Sequence, residues 1–193
     1  KNGINPTALE LFERSTIELS EKYLNAKLQS QIGNSYVLMT IDDSDEATML
    51  RKVESVGDML NPVALEIIPL TAEEAEAAWM LRDHILIALM QFTEYEMLDE
   101  VVPINKFAEM IMYTKELQDK HGLSVINFGH AGDGNIHTVL MKESLDEETW
   151  EKKRKALLDD LYNKVAELGG LPSAEHGIGI VKKSYFERMT NSV

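Results

Sequence analysis

The segment GHAGDGNIH, residues 129–137, sets His130 and His137 either side of Gly132, Asp133, Gly134 and Asn135. A second segment, SAEHGIG at 173–179, adds Glu175 and His176. Three of the chain's five histidines therefore stand in two short, glycine-bearing stretches. Two neutral imidazoles and one carboxylate are a common ligand set for a divalent metal with open positions, and here that set is His130, His137 and Glu175. A third imidazole beside such a metal but not bound to it, His176, is placed to act as a general base. The His-Glu-x-x-His helix of zinc proteases is absent, and a Gly-Asp-Gly-Asn turn is ordinary by itself. Spacing alone therefore leaves two readings open, a metal site and a pair of turn histidines.

Particular elements must position these residues. LSVINF at 123–128 and IHTVLM at 136–141 read as two strands around the turn, from which the two imidazoles converge. Gly132 and Gly134 permit a sharp turn, which Asp133 and Asn135 can hold through side-chain to backbone hydrogen bonds. On a regular strand Glu175 and His176 would point apart. Gly169, Gly170, Pro172, Gly177 and Gly179 predict an irregular loop instead, on which both can face one cavity.

Upstream, ALELF at 8–12 is a strand or the start of a helix, and YVLMTI at 36–41 and VALEII at 63–68 read as strands. Helical spacing runs from Ser44 to about Leu60 and, behind a Thr71–Glu74 capping box, on to Leu89. A further helix starts near Ile104 and stops at Gly122. Another opens on a Ser144–Glu147 capping box and ends at Gly169 and Gly170. His84 on the Trp79–Leu89 helix and His121 near a helix end read as solvated or capping residues. The pattern predicts an α+β fold, helices packed on a mostly antiparallel sheet, in one domain over 1–193.

Composition narrows the function. With 193 residues and 44% hydrophobic content the chain can bury a substantial core. Thirty-three acids against nineteen bases give a formal charge of −14, which repels phosphate backbones and anionic lipid. Nucleic acid is thereby excluded as a partner. No apolar run approaches the roughly 20 residues of a membrane span. The absence of cysteine removes disulfides, thiolate metal sites and thiol nucleophiles, and cytoplasm fits this best. The ten methionines read as core filler, and EKKRK at 151–155 as a solvated helix face. A first residue of Lys1 rather than methionine reads as a processed or cut piece of a longer protein.

GHAGDGNIH, SAEHGIG and the following Lys182 together closely resemble the signature pair of the C-terminal domain of FAD-linked oxidases. These belong to the vanillyl-alcohol-oxidase-like flavoproteins, in the group of D-lactate dehydrogenase, glycolate oxidase and D-2-hydroxyglutarate dehydrogenase. PTALELFER from Pro6, WMLR ending at Arg82, and DEVVP from Asp99 to Pro103 extend the resemblance over nearly the whole chain. The resemblance implies a ferredoxin-like fold and a zinc or manganese ion on His130, His137 and Glu175. It implies His176 as catalytic base, and Arg82, Asn135 and Lys182 as substrate-binding residues, with Arg82 pairing the substrate carboxylate. It further implies FAD held mainly by a separate FAD-binding domain of the same protein, a small 2-hydroxy-acid substrate, and an iron-sulfur or electron-transfer partner. Nothing here resembles a dinucleotide-binding glycine loop, and the chain stops at Val193, before the family's Asn-Pro ending. Leu98 stands where an acid is common, and Leu86 and Met97 where the 2-hydroxyglutarate enzymes carry polar contacts, which favours a small substrate such as D-lactate or glycolate. This chain alone is expected to hold neither FAD nor activity. The alternatives are a free-standing metal-dependent hydrolase, active without flavin, and a non-catalytic binding module, which would bind no metal.

Overall fold

A two-stranded antiparallel ribbon organises the first half of the chain. The computed structural model describes residues 4–190; Lys1 and Val193, on which the reading of a cut piece rests, lie outside the described residues. The chain divides into two compact units, one ending at Ala88 and one beginning at Leu89. In the first unit β1 (Ala8–Glu13) pairs with β2 (Ser35–Thr40) in a register that sets Ala8 opposite Thr40 and Glu13 opposite Ser35. The ambiguous ALELF segment is thus a strand. It leads directly into α1 (Arg14–Leu24), where the Thr16 hydroxyl accepts from the Glu13 amide at 3.0 Å.

Two helices follow, α2 (Glu46–Leu60), capped by Asp45, and α3 (Ala72–Asp83), capped by the anticipated Thr71–Glu74 box. Phe12, Ile17, Val56, Ala78 and Leu81 form the buried interior of this unit. Two expectations fail here. VALEII at 63–68 forms no strand: Val63 and Leu65 are 78% and 79% exposed, and the segment joins no ladder among the described residues. A run of β-formers becomes a strand only when an edge pairs it, and Pro62 and Pro69 at its ends cannot donate to a ladder. The Trp79–Leu89 helix is also broken. His84 leaves helical geometry (φ −91°, ψ 2°), so α3 ends at Asp83 and α4 (Ile85–Phe92) begins anew across the division between the units.

The second unit is built around β6 (Asn135–Met141). It pairs antiparallel with β5 (Ser124–His130), with β3 (Tyr95–Met97) and with β4 (Glu100–Val101). A 3-10 turn at Ile104–Lys106 opens α5 (Phe107–His121), which ends at Gly122 in the left-handed conformation, as its sequence predicts. The long α6 (Glu147–Glu167) buries Trp150, Leu157, Leu161 and Val165 and packs beside α5. Its cap is Asp146, whose carboxylate accepts from Thr149 N–H at 2.9 Å, and not Ser144. Asp146 stands immediately before the first helical residue and ends in a carboxylate, a stronger acceptor for the first-turn amides than a hydroxyl two residues earlier. A short α7 (Lys183–Thr190) closes the described chain.

Two buried carboxylates show how differently the units treat charge. In the first, Glu21 accepts from Arg14 at 2.6 Å, Lys27 at 2.8 Å, the Leu28 amide at 2.9 Å and Gln31 at 2.9 Å. Burial would raise its pKa, but the bonds from Lys27, Gln31 and Arg14 hold it at about 2. In the second, burial lifts fully enclosed Glu100 to about 7. Its Oε1 touches the Thr138 hydroxyl, which also lies 3.0 Å from Asn127 Oδ1. One hydroxyl hydrogen cannot serve both acceptors. A protonated Glu100 resolves this by donating to Thr138, which donates to Asn127. The Asn127 amide then donates to Thr114 at 2.9 Å, and Thr114 to the Ile111 carbonyl at 2.7 Å. This chain of bonds ties the β4–β6–β5 ladder to α5.

Both groups make stability depend on pH, with opposite signs. The contribution of Glu21 is present above its unfolded pKa and is lost as pH falls toward about 2. Glu21→Ala should cost about 3–5 kcal/mol in urea unfolding at pH 7 and flatten the acid limb below pH 4.5. The contribution of Glu100 is present below its unfolded pKa and is lost as pH rises through about 7. Glu100→Gln keeps a donor for Thr138 and cannot ionise, so it should gain about 1–3 kcal/mol over the parent at pH 8 and little at pH 5. Equal effects at the two pH values would show that Glu100 does not titrate in the fold.

Candidate active site

The β5–β6 hairpin delivers the first two imidazoles. Phe128 lies opposite His137 in the register, and β5 continues to His130 at its last residue. The two rings meet edge to face with centroids 5.4 Å apart, and Phe128 covers another side of His137 at 5.0 Å. Gly134 makes the return possible: it has φ +77°, and a Cβ there would lie 2.0 Å from the Val102 carbonyl oxygen. The sequence-based expectation that Asn135 holds the turn through nearby backbone is not met. Its Nδ2 reaches across to β4 and donates to Asp99 Oδ1 at 3.0 Å and to the Glu100 carbonyl at 3.2 Å.

The third and fourth groups arrive on the irregular loop 173–176, and one carboxylate fixes that loop. Asp99 Oδ2 accepts from the amides of Ala174 at 3.0 Å, Glu175 at 3.0 Å and His176 at 2.8 Å, and from the Ser173 hydroxyl at 2.6 Å. Burial would raise the Asp99 pKa, yet these bonds and Asn135 hold it at about 2. With the backbone so gripped, Glu175 and His176 both turn toward the hairpin. Glu175 Oε1 lies 3.4 Å from His130 Nε2, 3.3 Å from His137 Nε2 and 3.8 Å from His176 Nε2. The His137 and His176 rings stack in parallel, 5.0 Å apart with 6° between their planes.

These atoms fit a divalent cation. Ligands about 2.0–2.1 Å from a tetrahedral zinc stand about 3.3–3.4 Å from one another, which is the spacing of Glu175 Oε1 from the His130 and His137 nitrogens. Burial, then the nearby His176 and His130, push His137 down to about 4, so it presents a neutral imidazole, the form a metal binds. Asp99, His137, Glu175 and His176 also offer ligand atoms within 4.8 Å of one another. That grouping includes Asp99 and omits His130, but Asp99 already accepts five hydrogen bonds, four of them on Oδ2, which bind it to the loop backbone and Ser173. His130 Nε2 lies 3.4 Å from the Glu175 oxygen that His137 also approaches.

The remaining sequence-derived residues are placed as follows. Lys182 is buried, with Nζ 3.4 Å from Ser173 Oγ and 3.7 Å from Asp99 Oδ2, beneath the loop that carries Glu175. Asn135 is buried, and its Oδ1 has no hydrogen-bond partner among the described residues. Arg82 belongs to the first unit, where its guanidinium holds Glu10 through Nε at 2.9 Å and Nη2 at 2.5 Å. His84 bonds the Met80 carbonyl, and His121 binds Asp160 of α6 at 2.6 Å, so neither reaches the cluster's carboxylate. Sequence reasoning gave Asp99 no role of its own. Its signal was present: adjacent acids, Asp99 and Glu100, inside the apolar run from Leu98 to Val102, all but Val101 buried.

The family model for FAD linked oxidases, C-terminal domain, matches residues 1–193. D-lactate dehydrogenase of Anaerostipes hadrus is 34% identical over 93% of this chain and 40% of its own length. D-lactate dehydrogenase of Archaeoglobus fulgidus is 32% identical over 95% of this chain and 40% of its own. The GlcD component of Bacillus subtilis glycolate oxidase is 30% identical over 95% of this chain and 39% of its own. The chain thus spans about two-fifths of the length of these relatives. The chain belongs to the FAD-linked oxidase C-terminal domain family, and its cluster of imidazoles and one carboxylate sits on a β-hairpin and an irregular loop of that domain.

Proposed function

We propose that this chain is the substrate- and metal-binding part of an FAD-dependent dehydrogenase of small 2-hydroxy acids, of the D-lactate or glycolate type. The observation that carries the reading is the convergence of three imidazole Nε2 atoms on Glu175 Oε1, two of them at the spacing of a metal's ligands. His130, His137 and Glu175 would hold a zinc or manganese ion. Such an ion lowers the pKa of an α-hydroxyl that coordinates it, and FAD, when bound, accepts the α-hydrogen as hydride.

The chain's own groups do the rest. His176 lies beyond ligand spacing, partly exposed, with its Nε2 turned toward the same oxygen. It would take the hydroxyl proton, which together with the hydride that FAD would accept accounts for conversion of the hydroxy acid to the 2-oxo acid. Asp99 and Lys182 keep the loop beneath it fixed. The Arg82 fork suits a carboxylate, and a substrate role requires it to exchange or share Glu10. Ile180, 94% exposed a few residues beyond His176, is an apolar side chain that a flavin-bearing domain would cover. Among the described residues no helix is long and apolar enough to cross a membrane.

The test uses the full-length protein, mixed without oxygen with D-lactate, L-lactate, glycolate or D-2-hydroxyglutarate while the flavin absorbance is followed. One of the small acids should bleach it. His176→Ala should slow bleaching by about 10²–10⁴-fold with flavin content unchanged, and chelation of the metal should abolish it. Flavin reduced by none of these acids would refute the substrate class, and bleaching indifferent to chelators would refute the metal.

A further inference from the structure

Asp99 has two oxygens, and they face different things. Oδ2 takes the three loop amides and Ser173. Oδ1 takes one bond from Asn135 and stands 3.8 Å from His137 Nδ1, a buried nitrogen with no hydrogen-bond partner among the described residues. A neutral imidazole carries its single hydrogen on one nitrogen or the other. Here each nitrogen faces a carboxylate, Nδ1 that of Asp99 and Nε2 that of Glu175 at 3.3 Å. The two fields are unequal. The Asp99 side chain is fully buried, whereas Glu175 is 52% exposed and screened by water. A fully buried charge is less screened than a half-exposed one.

We propose that Asp99 is a positioning residue that selects the Nδ1–H tautomer of His137, leaving the Nε2 lone pair free for a metal. The same carboxylate thus sets the backbone of one ligand, Glu175, and the protonation site of another. This rests on the reading of His137 as a metal ligand, to which it adds an orienting group of the kind that commonly fixes a ligating histidine.

Asp99→Asn separates the two functions. Its carboxamide oxygen can still accept the loop amides, while its NH₂ faces Nδ1 and makes that nitrogen an acceptor. The full chain, labelled with ¹⁵N at histidine and stripped of metal, is examined by long-range ¹H–¹⁵N spectra, with His137 assigned by its loss in His137→Ala. The parent should show His137 as Nδ1–H and Asp99→Asn as Nε2–H. Zinc affinity, measured against a competing chelator, should fall about 10–100-fold in Asp99→Asn. Amide exchange at 174–176 should stay slow in Asp99→Asn and become fast in Asp99→Ala. An Nε2–H tautomer in the parent, or an unchanged Nδ1–H tautomer in Asp99→Asn, overturns the proposal. The tautomer is read without metal, so a parent that binds no zinc but switches tautomer keeps this proposal and loses the metal. If Asp99→Asn does not fold, the parent spectrum alone decides.

Discussion

A buried carboxylate that accepts three consecutive backbone amides converts a flexible, glycine-rich loop into a fixed platform, and Asp99 does this for residues 174–176. The arrangement resembles a helix N-terminus in its electrostatics, with amides converging on one negative charge. Isolated in the interior, that charge would be prohibitively costly. Five hydrogen bonds and Lys182 nearby reverse the balance, and the carboxyl is held at about 2. Everything in the site follows from this grip: Glu175 turns inward, His176 stacks on His137, and Asn135 is drawn from its own turn to the opposing strand.

Asp99 and Glu100 are adjacent and equally inaccessible, and their pKa values are shifted in opposite directions. The first is surrounded by donors and is ionised. The second meets one hydroxyl on Oε1, finds no partner for Oε2 among the described residues, and is lifted to about 7. Side chains that alternate across a strand see different faces, so consecutive acids can serve different ends. One organises the loop of the site and the other joins the strands to α5.

Much of this architecture was legible in the chain. The hairpin strands, the Gly122 helix end and the Thr71 cap follow from local chemistry, and local chemistry is what they obey. VALEII failed because a strand needs an edge as well as β-forming residues, and the supply of edges is not a local property. His84 looked like a mid-helix residue because flanking apolar spacing continues across it. The pairing of Glu175 with His130 and His137 was anticipated from residue types. The role of Asp99 was not, because nothing in DEVVP reveals which amides, some 75 residues later, will come to it.

That separation along the chain has a consequence for biogenesis. Ribosomes add about 5–20 residues per second, so Asp99 emerges roughly 4–15 s before the amides that will surround it. His130 and His137 emerge within that interval and stand through its second half as a bare pair, without the Glu175 carboxylate. On the proposed metal reading, a nascent chain in this state would offer two imidazoles to any divalent ion that imidazole suits, and Irving–Williams preferences would favour copper over zinc or manganese. Closure of the loop on Asp99 adds a hard oxygen donor and a fixed geometry. On the proposed metal reading, the ligand set would be complete only when this last segment docks on Asp99.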